Sequence, residues 1–304
     1  QLEYVMAVYK YRHFMKAAES CGVTQSTLSL MVRKLEEELD IVIFDRNSHP
    51  VMPTIAGEAV IKQAQIVLYN ARQLKELTLS ERNRVTGDIR MGISPTVALY
   101  IVPKMFSYIR KYYPDLQFLP TELRTKHTVE MLKRAEIDMA IMSMTEKDDM
   151  LLEIPLYKEN FIVYISPTDP LFKETEICYQ TIPRERLWSL VDEICFQHEV
   201  PVAKNFTEEP ATNFESGSLV TLMQIVDENG GFTFLPELHY PLLSTQRRAN
   251  TRLVVNPTPS RQVSLFVRHD YVRESILNVI ANAVKSIIPN KMLDDRLSKY
   301  PIRL

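Results

Sequence analysis

Residues 14–46 read FMKAAESCGVTQSTLSLMVRKLEEELDIVIFDR, and this stretch decides the first part of the fold. Phe14, Ala17, Ala18 and Cys21 stand at i, i+3, i+4 and i+7, which predicts a helix over Tyr11 to Cys21 with one apolar face. Gly22 follows as a left-handed cap, Val23 plugs the corner, and Thr24 is a good N-cap for the next helix. That helix is predicted over Gln25 to Leu39. It buries Leu28, Val32, Leu35 and Leu39 and turns Gln25, Ser26, Ser29 and Arg33 outward. Two short helices joined by a tight glycine-containing turn form a helix-turn-helix, whose second helix offers a small polar face near its N-terminus. Ile41 to Phe44 is a β-branched and aromatic run, Asn47 to Pro50 is turn material, and Val51-Met52 returns, so a wing is added to the two helices.

Working outward, Thr54 caps a long helix predicted to about residue 80. Gly57, Val60, Ala64, Val67, Ala71 and Leu74 are spaced 3, 4, 3, 4, 3, the pattern of a coiled-coil seam. Two readings stand: a seam facing a second copy, or a helix lying on its own domain core. Arg82 to Gly87 reads as a hinge. From Asp88 strands and helices alternate: strand Ile89–Ile93, helix Val97–Tyr112, strand Leu116–Thr121, helix Thr125–Ala135 and strand Ile137–Met142. That order implies a parallel sheet with helices on its faces. Phe161–Ile165 is a further strand. A second unit is clearest in helix Ser218–Asn229, the stop Gly230-Gly231 and strand Phe232–Leu235. Strand Val263–Val267 and helix Arg273–Ile288 close the pattern. The tail from Pro289 to Leu304 has no assignable element.

Composition narrows the function. With 45% apolar and 24% charged residues the chain has the makings of packed cores, so bulk disorder is excluded. No apolar run is long enough for a membrane span and no secretory leader is visible, so a cytoplasmic protein without a membrane partner is expected. Three cysteines, Cys21, Cys178 and Cys195, are too few and too odd for a disulfide framework. Seven glycines allow no phosphate-cradling loop, which argues against a nucleotide cofactor, and no cofactor or metal is expected. A hydrolytic pairing of Cys195 with His198 lacks an oxyanion loop and a third member, so an enzyme is not expected.

The segments Ala17-Ala18, Val23 to Ser29, Arg33 to Glu36, Phe44-Asp45-Arg46 and Thr54 to Gly57 resemble, in order and spacing, the signature of LysR-type transcriptional regulators. The chain beyond residue 87 is similar to that family's effector-binding domain. Gly92 to Thr96, Leu132 to Asp138, and Ser218-Leu219 through Leu235-Pro236 look most like its peroxide-responsive, OxyR-like subgroup. Family members usually begin a few residues earlier with Met, so Gln1 implies an incomplete start. The resemblance implies an α/β protein with an α-rich winged helix-turn-helix over 1–58 and a linker and dimerisation helix with hinge over 59–87. A two-lobed effector domain like that of periplasmic binding proteins would follow over 88–290, with lobe I at about 88–163 and 268–290, lobe II at about 164–267, and a tail over 291–304. It implies a homodimer or homotetramer on an inverted-repeat promoter site in double-stranded DNA, working with RNA polymerase. The effector would be a small molecule or peroxide.

On the DNA-binding face, Gln25 suits a bidentate contact to adenine, while Thr24, Ser26, Thr27 and Ser29 can reach base edges or phosphates. Arg33 and Lys34 lie two turns on. Arg46 in the wing suits the minor groove or the backbone, and Thr54 with the free N–H groups of the long helix forms a phosphate site. Against this, residues 1–60 hold six basic and eight acidic side chains, a net of -2 where a DNA-binding domain is usually positive. Modest affinity per subunit and a shallow salt slope follow. In the effector domain, Ser94, Thr96, Thr125 and Ser218 place hydroxyls at helix starts, either as plain caps or as ligand groups. Thr96 matches a ligand-site threonine of the resemblance. Cys195 matches the reactive cysteine of the peroxide sensors. However, Glu193-Ile194 replaces the Gly-His that precedes it there, and Lys204 and Phe206 fall near where the resolving cysteine would be. Cys178 lies 17 residues upstream. Glu193 opposes thiolate formation, whereas His198 and Lys204 favour it. A structural thiol with the disulfide switch lost, and a sensor working by sulfenate alone or by another ligand, both stand.

Overall fold

The computed structural model describes residues 1–80, 85–144, 147–190, 212–214 and 218–303. The chain divides into two compact units, with the break near residue 83.

The first unit opens with α1 (Leu2–Tyr11), which ends at Arg12 in the left-handed region, and α2 (Phe14–Ser20), capped by the His13 ring accepting from Met15 N. Gly22, at φ 65°, makes the turn into α3 (Gln25–Leu39). Thr24 caps α3 by accepting from Thr27 N. Val5, Val8, Ala17, Ala18, Leu28, Val32, Leu35, Ile43, Phe44 and Ile61 form the core. The stripe read for α3 holds except at its last member: Leu39, at the final turn beside the left-handed Asp40, is 46% exposed. The wing is shorter and later than the sequence pattern implied. It pairs β1 (Phe44–Asp45) with β2 (Met52–Pro53), because Ile43 and Phe44 N–H groups are taken by the Glu36 carboxylate instead of a longer ladder. Helix α4 (Ile55–Ser80) starts under Thr54. It can do so only through Gly57, where a Cβ would stand 2.0 Å from Ile43 O. Of the seam residues, Ala64 is buried, whereas Val67 and Leu74 are 44% and 67% exposed.

In the second unit, β3 (Gly87–Ile93) lies parallel to both β4 (Leu116–Glu122) and β5 (Met139–Met142). Helices α5 (Pro95–Tyr112) and α6 (Thr125–Lys133) are the crossovers. The strand read at Phe161–Ile165 is the end of a 15-residue strand, β6 (Leu151–Ile165). Its first ten residues pair with β12 (Ser260–Arg268), which in turn joins β5 antiparallel. The last five pair with β10 (Phe232–Pro236), and residues 162–164 also with β11 (Thr251–Val255). One strand thus runs through both lobes. Strand β7 (Glu176–Cys178) is parallel to β11, and β8 (Trp188–Leu190) to β9 (Thr212–Phe214). Phe161, Val163 and Ile165 face one core with Phe232 and Phe234; Ile162 and Tyr164 face another built on α7 (Leu219–Asn229). Burial on both faces explains an unbroken apolar run rather than an alternating one. Gly230 and Gly231, at φ 80° and 79°, turn α7 into β10, and a short α8 (Thr245–Ala249) precedes β11. The tail is ordered: α9 (Glu274–Ile287) leads to α10 (Asp295–Lys299). Asp294 N donates to Leu156 O of β6, and Asn278 brackets the Ile302 backbone from both sides. Among the described residues no helix is long and apolar enough to cross a membrane.

Candidate DNA-binding face and effector cleft

At the start of α3, Thr24, Gln25, Ser26 and Thr27 are exposed, with Ser29 half-buried behind them. Thr24 Oγ1 lies 2.9 Å from Ser26 Oγ and 2.8 Å from Thr27 Oγ1, so three hydroxyls are clustered at the helix start. Gln25, Arg33 and Lys34 are exposed and make no side-chain hydrogen bond or ion pair among the described residues. Two of the expected contact residues are held from within. Arg46 donates to Glu36 Oε2 at 2.8 Å and to Ser29 Oγ at 3.3 Å, and lies over the Phe14 ring. Thr54 donates to Val42 O at 2.6 Å and accepts from Gly57 N at 2.9 Å. Glu36 was not singled out by its residue type. Its buried carboxylate ties β1 and Arg46 to α3, which fixes the wing against that helix.

In the second unit, β3, β4 and β5 are adjacent and parallel, so Ser94 and Thr125 stand after the carboxyl ends of neighbouring strands, where α/β sheets place ligands. Ser94 Oγ and Thr96 Oγ1 are 3.3 Å apart. Thr125 is half-buried at the start of α6. Ser218 Oγ accepts from Thr221 N and from the Thr221 hydroxyl, the geometry of a cap on α7. Cys195, with Glu193, His198, Lys204 and Phe206, lies outside the described residues. Cys178 is a half-buried free thiol at the end of β7.

Thr96 is the best-connected of the expected residues, and its partners were missed in the sequence. It is 7% exposed. Its hydroxyl accepts from Arg261 Nη1 at 2.7 Å, and its carbonyl lies 2.7 Å from His239 Nε2. Arg261 of β12 stands directly opposite Glu159 of β6 and pairs with it at 2.7 Å, the two side chains being 5% and 1% exposed. Burial holds the Glu159 carboxyl above its ordinary range, with Arg261 pulling the other way. Burial, reinforced by the Arg261 charge, pushes the His239 imidazole down to about 4, so the ring is neutral and its Nε2–H donates to Thr96 O. Residues of α5, β6, β12 and the turn after β10 therefore meet at one threonine. Period-2 alternation places Tyr157, Glu159 and Phe161 on one side of β6, and the register sets Arg261 and Val263 of β12 on that same side. A charged residue in phase with buried neighbours is the signal that could have found the pair.

Two family models match. "Bacterial regulatory helix-turn-helix protein, lysR family" covers residues 1–58, and "LysR substrate binding domain" covers residues 82–286. The chain is 31% identical over 295 residues to the hydrogen peroxide-inducible genes activator of Haemophilus influenzae, spanning 94% of this chain and 97% of that one. It is 29% identical over 289 residues to the DNA-binding transcriptional dual regulator OxyR of Escherichia coli K12, spanning 94% of each. A full-length OxyR variant from Pseudomonas aeruginosa superposes with a TM-score of 0.79 at 26% identity, covering 97% of both chains. The helix-turn-helix, the two-lobed sheet and these matches agree, and the chain belongs to the LysR family of DNA-binding transcription regulators.

Proposed function

We propose that this regulator controls genes of the oxidative-stress type, with peroxide as the effector read by the second unit. The carrying observation is the similarity, over 94% of the chain, to relatives named as hydrogen peroxide-inducible genes activators. Gln25, Ser26, Thr27 and Ser29 read base edges in the major groove, while Thr24, Arg33, Lys34 and the Thr54 helix start hold phosphates. Arg46 acts by holding Ser29 and the wing in place. Val67, Ala71 and Leu74 supply a seam between copies, giving a dimer or tetramer that spans an inverted repeat and presents a surface to RNA polymerase. A second reading is a response to a small metabolite through the Thr96 cleft. It is favoured by one sequence feature: no cysteine follows Cys195 within a dozen residues to resolve it. The test is thiol mass spectrometry of Cys195 and Cys178 after graded peroxide, alongside operator footprinting. A Cys195 sulfenate or a Cys195–Cys178 disulfide that shifts the footprint supports the peroxide reading. Inert thiols with an unchanged footprint reject it in favour of a metabolite.

A further inference from the structure

A cavity of about 740 Å³ opens in the second unit, within the size range of small-molecule sites. Its lining contains none of Thr96, Thr125, Glu159, His239 or Arg261. The floor is apolar and buried: Phe161, Ile162, Leu238 and Val254 are each under 10% exposed. Tyr240 and Leu253 form a rim that stays 43% and 61% exposed.

The charge in this cavity is what identifies a ligand. Arg248 and Arg252 both line it. Arg248 donates to Tyr240 O and Pro241 O, and Arg252 to the carbonyls of Phe172, Glu174, Ala249 and Thr251. These carbonyls orient the two guanidinium groups but carry no formal charge. Neither arginine has a carboxylate partner among the described residues, and Arg248 Nη1 makes no bond among them. The remaining charged pair, Lys291 and Glu237 at 3.7 Å, neutralises itself at the rim. Each guanidinium also lies over an aromatic ring, Arg248 over Tyr240 and Arg252 over Phe172, but two fixed cations without a carboxylate partner over an apolar floor favour an anion with an apolar body. An inorganic anion would leave the floor unused, and a cation would be repelled.

The cavity also shares walls with the threonine cluster. Tyr100 lies one turn beyond Thr96 on α5, Leu238 precedes His239, and the Phe161 ring lies 5.5 Å from the Arg261 guanidinium. We propose that this cavity is a second ligand site, taking an amphipathic organic carboxylate on Arg248 and coupling through Leu238 and His239 to Thr96. Occupancy presses on Leu238 and so changes the hydrogen bond from His239 to the Thr96 carbonyl.

The test is calorimetry on the full chain with 2-naphthoate, indole-3-acetate, octanoate and decanoate, each beside its neutral amide. At least one carboxylate is expected to bind with a Kd below about 1 mM, and its amide at least tenfold more weakly. Arg248→Met should weaken binding at least fivefold. Leu253→Glu, at an exposed rim position, should abolish it without altering the unfolding curve. Ligand addition should shift the His239 ring resonances. Failure of all four carboxylates, equal binding of the amides, or undiminished binding by both variants overturns the site. Binding without a His239 shift overturns the coupling.

Discussion

Arg261→Met keeps most of the side-chain stem and removes one charge from a pair in which both members are almost fully buried. Breaking such a pair costs about 3–5 kcal/mol, because the surviving charge is left without compensation. Glu159 has an escape. It can take up a proton, and burial already biases it that way. Protonating a carboxyl of ordinary pKa near 4.3 at pH 7 costs about 1.36 × 2.7, or about 3.7 kcal/mol, which limits the penalty from this source. At pH 5.5 the same sum gives about 1.6 kcal/mol. The expected loss is therefore about 3–4 kcal/mol at neutral pH, shrinking by about 2 kcal/mol over that interval. Glu159→Gln in the same chain should restore all but about 1 kcal/mol at pH 7, the residue being the lost bond to Thr96. Urea unfolding followed by fluorescence of Trp188 measures this, since the chain's one tryptophan lies in the same unit. A loss under about 1 kcal/mol, a loss independent of pH, or no rescue by Glu159→Gln would refute the reasoning.

His239 makes a complementary prediction. Between pH 6.5 and about 4 the unfolded chain binds a proton at this ring that the folded chain refuses. Its contribution to stability is thus complete above pH 6.5 and falls by up to about 3 kcal/mol toward pH 4. His239→Gln should flatten that part of the stability–pH curve, and parallel curves would count against the buried neutral ring. Gly57→Ala forces a Cβ into Ile43 O, so it should cost the first unit about 1–3 kcal/mol or more and lower its thermal midpoint in calorimetry. Gln25→Ala, at an exposed and unpartnered side chain, should weaken operator binding by about 1–3 kcal/mol in a gel-shift titration while leaving that midpoint unchanged. Leu74→Asp, on the exposed side of α4, should shift sedimentation toward monomer if the seam joins two copies.

The first unit was largely readable from residue pattern, because its signals are local. Thr24 caps α3 at the predicted residue, and Gly22 takes the left-handed turn that its lack of a Cβ allows. What pattern did not give was Glu36. Its hydrogen bonds reach seven to ten residues along the chain and join two elements, so no periodicity reports them. The same cause hid the cluster around Thr96. Arg261 and Glu159 are 102 residues apart in sequence and meet through the β6–β12 register, while His239 and Thr96 are 143 apart and meet where the turn after β10 packs on α5. The first ten residues of β6 were missed because Lys158, Glu159 and Asn160 break the apolar run, although the strand continues through them. The tail was illegible because its partners, Leu156 and Asn278, belong to other elements.

The two regions proposed to take ligands differ in charge balance, and that difference bears on what each can admit. Thr96 offers an entering molecule a hydroxyl that already accepts from Arg261, so its own proton is what remains to donate. Arg261 is neutralised by Glu159, whose second oxygen has no partner among the described residues. An anion at Thr96 would meet that carboxylate and no free cation. Drawing Arg261 away from Glu159 would cost about 3–5 kcal/mol, a factor of 10² to 10³ or more in affinity. A neutral molecule of a few heavy atoms, accepting from the threonine hydroxyl and donating elsewhere, carries no such penalty. Hydrogen peroxide has that chemistry, and a bulky carboxylate does not. The unneutralised arginines of the neighbouring cavity have the opposite preference. A neutral oxidant at Thr96 and an organic anion beside it would therefore not compete, and could act on the same His239–Thr96 bond.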